Sequence, residues 1–256
     1  MVKYIKYMTD RFNEVNTVIS RYTNFAESAA ILTVVFFFLL SVPESVNANT
    51  TQPYAVKGVI DLTGYDFSKL KSVKLDGEWE FYWKQLLAPE DMESEAAPGV
   101  KQYAPVPAIW SDLKIKGINA DPRGYATYRL KIRVSDRTAM YGIRVFSLMS
   151  AYKIWADGKL IAEAGKVAMT DEAMQHRWIP GEYYFQSPYG ETDIVIQISN
   201  FRTDLGGFWT PVDFGYAESI ASMRRMKISF DNFLIGILFI LAMYHIGFYT
   251  FHRKER

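Results

Sequence analysis

The chain contains no cysteine. Disulfides, thiolate zinc sites and thiol catalysis are therefore excluded, and an exported domain would have to hold together without a covalent staple. Histidine is scarce, with 3 residues. His245 and His252 fall within or beyond an apolar segment near the C-terminus, which leaves His176 as the external candidate for a serine triad, and no GxSxG frames a nucleophile. The phosphate cradles GxxxxGK[ST] and GxGxxG are absent. A lone His176 beside Asp171 and Glu172 lacks the clustering of a metal site. Carboxylate pairs for glycoside hydrolysis are defined by separation in space, and no pair here stands out. Excess charge is also missing: 29 basic residues face 28 acidic ones, a net charge of +1. Nucleic-acid partners usually need a basic stripe, so none is expected. The chain reads as a non-enzyme without cofactor or metal.

What the chain has in quantity is apolar and aromatic surface. Hydrophobic residues make up 49%, and aromatics 16%, with 17 Tyr, 17 Phe and 6 Trp. Aromatic side chains pack well on pleated surfaces, which favours a β-rich domain.

Two long apolar runs set the topology. The first, AAILTVVFFFLLSV from Ala29 to Val42, is too short to span a bilayer, which takes about 20 residues. It suits the hydrophobic region of a secretory signal. Val46-Asn47-Ala48 supplies the small-residue pattern for cleavage after Ala48. The long stretch before the run fits such a signal poorly, so an uncleaved anchor is the alternative. Either way, the chain beyond Ala48 is expected to be exported. The second run, FLIGILFILAMYHIGFYTF from Phe233 to Phe251, carries no formal charge and has no polar face. It is expected to span the membrane. Arg224, Arg225 and Lys227 before it balance Arg253, Lys254 and Arg256 after it. Export by the leader decides the orientation, leaving HRKER cytoplasmic. His245 within the span reads as a neutral imidazole bonded to a neighbouring helix.

Between the runs, period-2 alternation recurs. In Glu78 to Trp83, Trp79, Phe81 and Trp83 share one face and are expected in the core. In Tyr128 to Ser135, Tyr128, Leu130, Ile132 and Val134 point inward, while Arg129, Lys131, Arg133 and Ser135 form a solvated face. Further strands are expected at 141–148, 151–156, 159–162, 183–186, 193–199 and 208–214, with an edge at 58–62. Asp157-Gly158 signals a type I′ hairpin, because both residues accept positive φ. Residues 83–100 and 168–181 read as long loops, and loops on a rigid sandwich are where binding usually sits. Ala217 to Lys227 can form a helix running into the span. The pattern predicts a mainly β chain: an antiparallel sandwich or jelly roll, then a single transmembrane α-helix, with an N-terminal signal helix. The expected divisions are 1–48 (signal or anchor), 49–216 (sandwich), 217–232 (juxtamembrane connector), 233–251 (span) and 252–256 (cytoplasmic tail).

The motifs GEWEFYW (77–83), PAIW (107–110), GYATYRLKIRV (124–134), SAYKIWADGKLIAEAG (150–165), IVIQISNF (194–201) and GGFW (206–209) stand in an order that carries a resemblance. Together they resemble the periplasmic ectodomain of bacterial seven-transmembrane receptors with diverse intracellular signalling modules. That ectodomain is similar to the galactose-binding-like sandwich of family 2 glycosidases, where W-x-N-G is common. Here the turn is Trp155-Ala156-Asp157-Gly158, so Asp stands in place of Asn. Residues 236–256 are similar to the family's first span. The resemblance implies a jelly-roll sensor in a bacterial inner membrane, facing the periplasm and binding a carbohydrate-like or other small ligand. It also implies further membrane helices and a cytoplasmic output domain, which this sequence lacks. The ligand-binding candidates are Trp110, Arg123, Tyr125, Trp178, Asn200, Arg202 and Trp209, because sugars are held by aromatic stacking and planar hydrogen-bonding groups. Each also has a structural reading: Trp110 and Trp209 as core edge, Asn200 as a turn closure, Arg202 as a partner of Asp204. The expected partners are the small ligand and the lipid bilayer, with homodimerisation left open. The alternatives are a protein–protein assembly module without a small ligand, or an accessory sugar-binding domain of a membrane-bound glycosidase.

Overall fold

The computed structural model describes residues 52–92, 101–146, 148 and 150–253. The expected signal segment, most of the acidic stretch before Val100 and the end of the tail lie outside the described residues. In chain order the strands are β1 (Val59–Asp61), β2 (Ser72–Lys74), β3 (Gly77–Trp83), β4 (Gln102–Val106), β5 (Ala108–Ile109), β6 (Lys114–Ile115), β7 (Ile118–Asn119), β8 (Gly124–Arg133), β9 (Met140–Val145), β10 (Ala151–Ala156), β11 (Lys159–Ala164), β12 (Gly181–Gln186), β13 (Glu191–Asn200), β14 (Gly207–Phe208) and β15 (Val212–Tyr216). The helices are α1 (Phe67–Leu70), α2 (Pro89–Met92) and α3 (Ala217–Arg253), and Trp110–Asp112 forms a 3-10 turn.

A seven-stranded sheet runs in the order β11-β10-β13-β8-β3-β4. β1 joins it in parallel, taking the stretch of β8 at Lys131 to Arg133 that β3 leaves free. A four-stranded sheet runs β12-β9-β15-β2, and all its pairs are antiparallel. The fold is thus a mainly β, antiparallel sandwich with one long apolar helix at its C-terminal end.

The core follows from the alternation. Tyr128, Leu130, Ile132, Ile154, Ile194, Ile196 and Ile198 from one sheet meet Tyr141, Ile143, Val145, Val212 and Phe214 from the other, all buried. Asp157 and Gly158 both have positive φ, 47° and 75°, so the β10–β11 hairpin closes as its sequence predicts. The strand expected over 208–214 is instead broken into β14 and β15, which belong to different sheets. β2 and β4 are too short, or too interrupted by Pro105, to show alternation in the sequence.

The charge row on β8 is not a free basic face. Arg129 donates to both carboxylate oxygens of Asp193, at 2.9 Å and 2.6 Å. Lys131 and Arg133 both reach Glu191, at 3.4 Å and 2.9 Å. The acidic partners come from β13 in register, so the row is neutralised across strands. The outer side of this sheet is also less wet than alternation suggests, since Glu80 and Tyr82 are buried.

α3 begins at Ala217, the residue after β15 ends. Its first turns lie against β9, β15 and β12 of the four-stranded sheet, and Ile220 is completely buried there. Farther along, apolar residues face outward on every side: Phe233, Ile235, Leu238, Phe239 and Ile240 are all more than half exposed. A helix apolar all round and unburied suits a bilayer. Among the described residues this is the one helix long and apolar enough to cross a membrane.

Candidate functional site

Five of the seven sequence candidates gather at one end of the seven-stranded sheet, where β8 starts and β13 ends. Gly124 and Asn200 are paired there. Asn200 is fully buried and ties three segments together. Its amide donates to the carbonyls of Pro122 (2.9 Å) and Thr203 (2.7 Å), and its Oδ1 accepts from the Thr203 amide (3.2 Å) and hydroxyl (3.1 Å). Every polar atom of Asn200 is thus engaged inside the protein. It positions the loops and has nothing left for a ligand.

Trp110 lies beneath the same loops. It is fully buried, its Nε1 donates to the Tyr128 hydroxyl at 2.9 Å, and its ring meets Trp83 edge-on at 5.0 Å. The GGFW motif is explained by this ring. A Cβ on Gly206 would lie 2.3 Å from the Trp110 ring, and one on Gly207 would lie 2.9 Å from it. Phe208 then enters the core against Tyr128 and Trp79. Trp110 is therefore a core residue whose ring is closed off from solvent. Burial also raises the Tyr128 hydroxyl well above the ordinary phenol range, which keeps it a neutral hydrogen-bonding group.

The remaining candidates are accessible. Arg123 is exposed and pairs with Asp204 at 3.3 Å. Arg202 pairs with Asp171 at 3.0 Å, not with Asp204 as its sequence neighbourhood suggests. Trp209, next to the closed Gly206–Phe208 segment, is 37% exposed. Trp178 is 54% exposed and sits on the 166–180 loop. That loop is fixed at several points: Ala168 exchanges hydrogen bonds with the Ser199 hydroxyl at 3.0 Å and 2.7 Å, and the Tyr152 hydroxyl donates to the Ile179 carbonyl at 2.7 Å. Tyr125, half-buried, faces outward from the sheet beside Ser199. The Arg202–Asp171 pair therefore joins this loop to the sheet end.

The arrangement offers guanidinium groups, carboxylates and indole rings on loops anchored by Asn200 and Ser199. Such groups bind by hydrogen bonding and stacking. Among the described residues, no cluster of His, Asp and Glu is grouped to hold a metal ion. Sequence reasoning missed the Asp171 partner, because the contact crosses from a loop with no fixed register. The Asn200 knot had a local signal in Asn200-x-x-Thr203, a polar turn in which the side chain mimics backbone. A separate shallow depression lies where β15 meets α3, lined by Asp136, Ala139, Met140, Tyr216, Ala217 and Glu218.

No family model matches the chain, and no curated protein matches it. Solved structures similar to it include a family 2 β-galacturonidase from Eisenbergiella tayi bound to galacturonate, at 13% identity and a TM-score of 0.41. A β-glucuronidase from Ruminococcus gnavus in complex with D-glucuronic acid is similar at 15% identity and a TM-score of 0.43. A β-glucuronidase from Faecalibacterium prausnitzii is similar at 16% identity and a TM-score of 0.40. Each match covers 57% of this chain, but only 24%, 29% and 31% of the respective enzyme.

Proposed function

We propose that the chain is the ligand-sensing module of a bacterial membrane receptor of the seven-transmembrane signalling type. In this reading the sandwich stands outside the cytoplasmic membrane, and α3 is the first span. The observation that carries the reading is the junction between sandwich and helix. β15 ends at Tyr216, α3 begins at Ala217 and runs to Arg253, and Ile220 is buried on the four-stranded sheet. A plain tether needs no such seat. A transmitter does, because a rigid strand-to-helix joint moves the span when the sandwich moves.

The ligand contacts belong to the accessible groups at the sheet end, Arg123, Tyr125, Arg202 and Trp209, together with Trp178 on the 166–180 loop. Trp110 and Asn200 hold these groups in place from below. Paired arginines and exposed rings suit a small polar ligand of the carbohydrate kind better than a greasy one.

The test is a thermal-shift screen of the full chain in lipid nanodiscs against sugars and small carboxylic acids. A ligand that binds the folded state raises the melting temperature, and it should also change amide exchange in residues 217–227. A stabiliser that leaves those amides untouched would separate binding from sensing and refute the receptor reading.

A further inference from the structure

The outer face of the seven-stranded sheet carries a row of partly enclosed polar side chains distinct from the sheet-end loops. In register across the strands stand Tyr82, Thr127, Gln197, Lys153 and Glu163. Their inward-facing neighbours Tyr128, Ile154, Ile196 and Ile198 belong to the core, so this row points away from it.

Two segments cover parts of the face. Leu87 donates its amide to the Thr127 hydroxyl at 2.9 Å, and that hydroxyl donates to the Gln85 carbonyl at 2.8 Å. On the other side, Ala168 caps Ser199. Gln197 lies in the lane between, directly opposite Thr127 and two residues from Ser199.

Four buried polar side chains share this face: Glu80, Thr127, Ser199 and Gln197. Three have partners. Glu80 is held by Lys101, Arg129 and the Tyr82 hydroxyl, while Thr127 and Ser199 are bonded as described. Gln197 is only 8% exposed, yet among the described residues its amide has no hydrogen-bond partner, and it is not sealed from solvent. An amide in a largely buried side chain that no protein group engages, but that solvent reaches, can exchange its water for a ligand. It is also a ready pair of donor and acceptor for a ligand.

The surroundings define what that ligand is. Gln197 has Tyr125 on one diagonal and Trp155 on the other, both half-buried and on the same face. Their Cα atoms lie roughly 16 Å apart at ordinary sheet spacings, which is the length of a short oligosaccharide. Charges here cancel in pairs. Lys153 meets Glu163 at 3.3 Å, Arg129 meets Asp193 at 2.6 Å, and Lys101 meets Glu80. An anion would find its cations already occupied, whereas a neutral polyol can use the amide and stack on the rings.

We infer that Gln197, flanked by Tyr125 and Trp155, is the floor of a binding site for a neutral saccharide on the outer face of the seven-stranded sheet. It rests on the sensing reading and places that ligand along the face, with Tyr125 as the link to the sheet end.

The test uses the full chain in lipid nanodiscs with D-glucose, D-galactose, N-acetyl-D-glucosamine, maltose, lactose and myo-inositol as neutral probes. Galacturonate and glucuronate serve as anionic comparators, and binding is read by tryptophan fluorescence and thermal shift. At least one neutral probe should bind. Gln197→Leu should weaken it at least tenfold while leaving the ligand-free melting temperature nearly unchanged, because no protein hydrogen bond is lost and the volume is similar. Trp155→Ala should weaken it and reduce the fluorescence change. Binding that survives Gln197→Leu but is lost in Trp209→Ala would overturn this site and leave the sensing reading standing. Binding confined to the uronates would overturn the neutral class, and no binding by any probe would overturn the saccharide site altogether. Failure of sensing itself would show as probe binding that leaves amide exchange in residues 217–227 unchanged.

Discussion

Ile220 of α3 sits directly over Gly142 of β9: a Cβ added at Gly142 would lie 3.4 Å from the Ile220 Cβ and 2.9 Å from the ring of Tyr184. The absence of a side chain at one position makes the seat for the other. Gly142→Leu should fill that seat, and Ile220→Asp should place an unpaired carboxylate in it. The overpacking by Leu should cost about 1–3 kcal/mol at the contact, and the buried carboxylate at least as much. Hydrogen exchange should show faster exchange in residues 217–227 and unchanged protection in β13. Equal loss of protection in both regions would mean that the contact stabilises the whole sandwich and is no separate joint.

The Asn200 knot leads to a second expectation. Asn200→Ala leaves the Pro122 and Thr203 carbonyls without their donor in a buried setting, which should cost about 2–3 kcal/mol in urea unfolding. Asn200→Asp should cost more near neutral pH, because it turns a donor into an anion facing the same two carbonyls. If Asn200→Asp proves the milder change, the Asn200 amide does not donate to those carbonyls.

The hairpin turn offers a pH-dependent case. Burial raises the Asp157 carboxyl above its ordinary value, and the nearby Asp193 and Glu191 add to the rise. Its side chain accepts a 2.7 Å hydrogen bond from the Asp193 amide, which offsets the rise in part. A carboxyl raised on folding contributes stability that is full below its unfolded value of 3.8 and is lost as pH rises through the folded value. Asp157→Asn keeps the positive φ and the acceptor while removing the charge. It should therefore raise the melting temperature at about pH 7 and lose that advantage at about pH 3.

Arg129 anchors the charge network of the outer face. Its guanidinium is held above even its ordinary range by the hydrogen bonds to Asp193, with burial opposing. Arg129→Leu should cost about 2–3 kcal/mol, because it leaves Asp193 unpaired and Glu80 with only Lys101 and the Tyr82 hydroxyl. Arg129→Leu combined with Asp193→Leu should recover part of the loss. A double variant as unstable as the sum of the two single ones would mean that the pair is not coupled.

The alternation in Tyr128 to Ser135 and Asp193 to Ser199 made the central strands legible, since each alternate residue meets the opposite sheet. So did Asp157-Gly158, whose turn chemistry is local. Long-range placement was not legible. That Gln85 and Leu87 would cap Thr127, or Ala168 would cap Ser199, depends on loops folding back over a face that alternation marks as solvated. For the same reason Tyr82 and Glu80 read as surface yet are buried. Of the site candidates, Arg123, Tyr125, Trp178, Arg202 and Trp209 are accessible. Trp110 and Asn200 carry the same chemistry, but it is spent inside the fold: one on Tyr128, the other on Pro122 and Thr203. Residue type alone does not distinguish a ring that stacks on a ligand from one that fills a core.

The central claim is that sandwich and span form one mechanical body. Because the chain has no cysteine, spin labels can be placed cleanly at Lys159→Cys on the β10–β11 turn and Ser229→Cys on α3, in lipid nanodiscs. Pulsed electron–electron resonance should give a single narrow distance distribution, which a Gly-Ser insertion between Tyr216 and Ala217 broadens. A broad distribution in the chain without the insertion would contradict the rigid joint, and with it the proposal that the sandwich signals through α3.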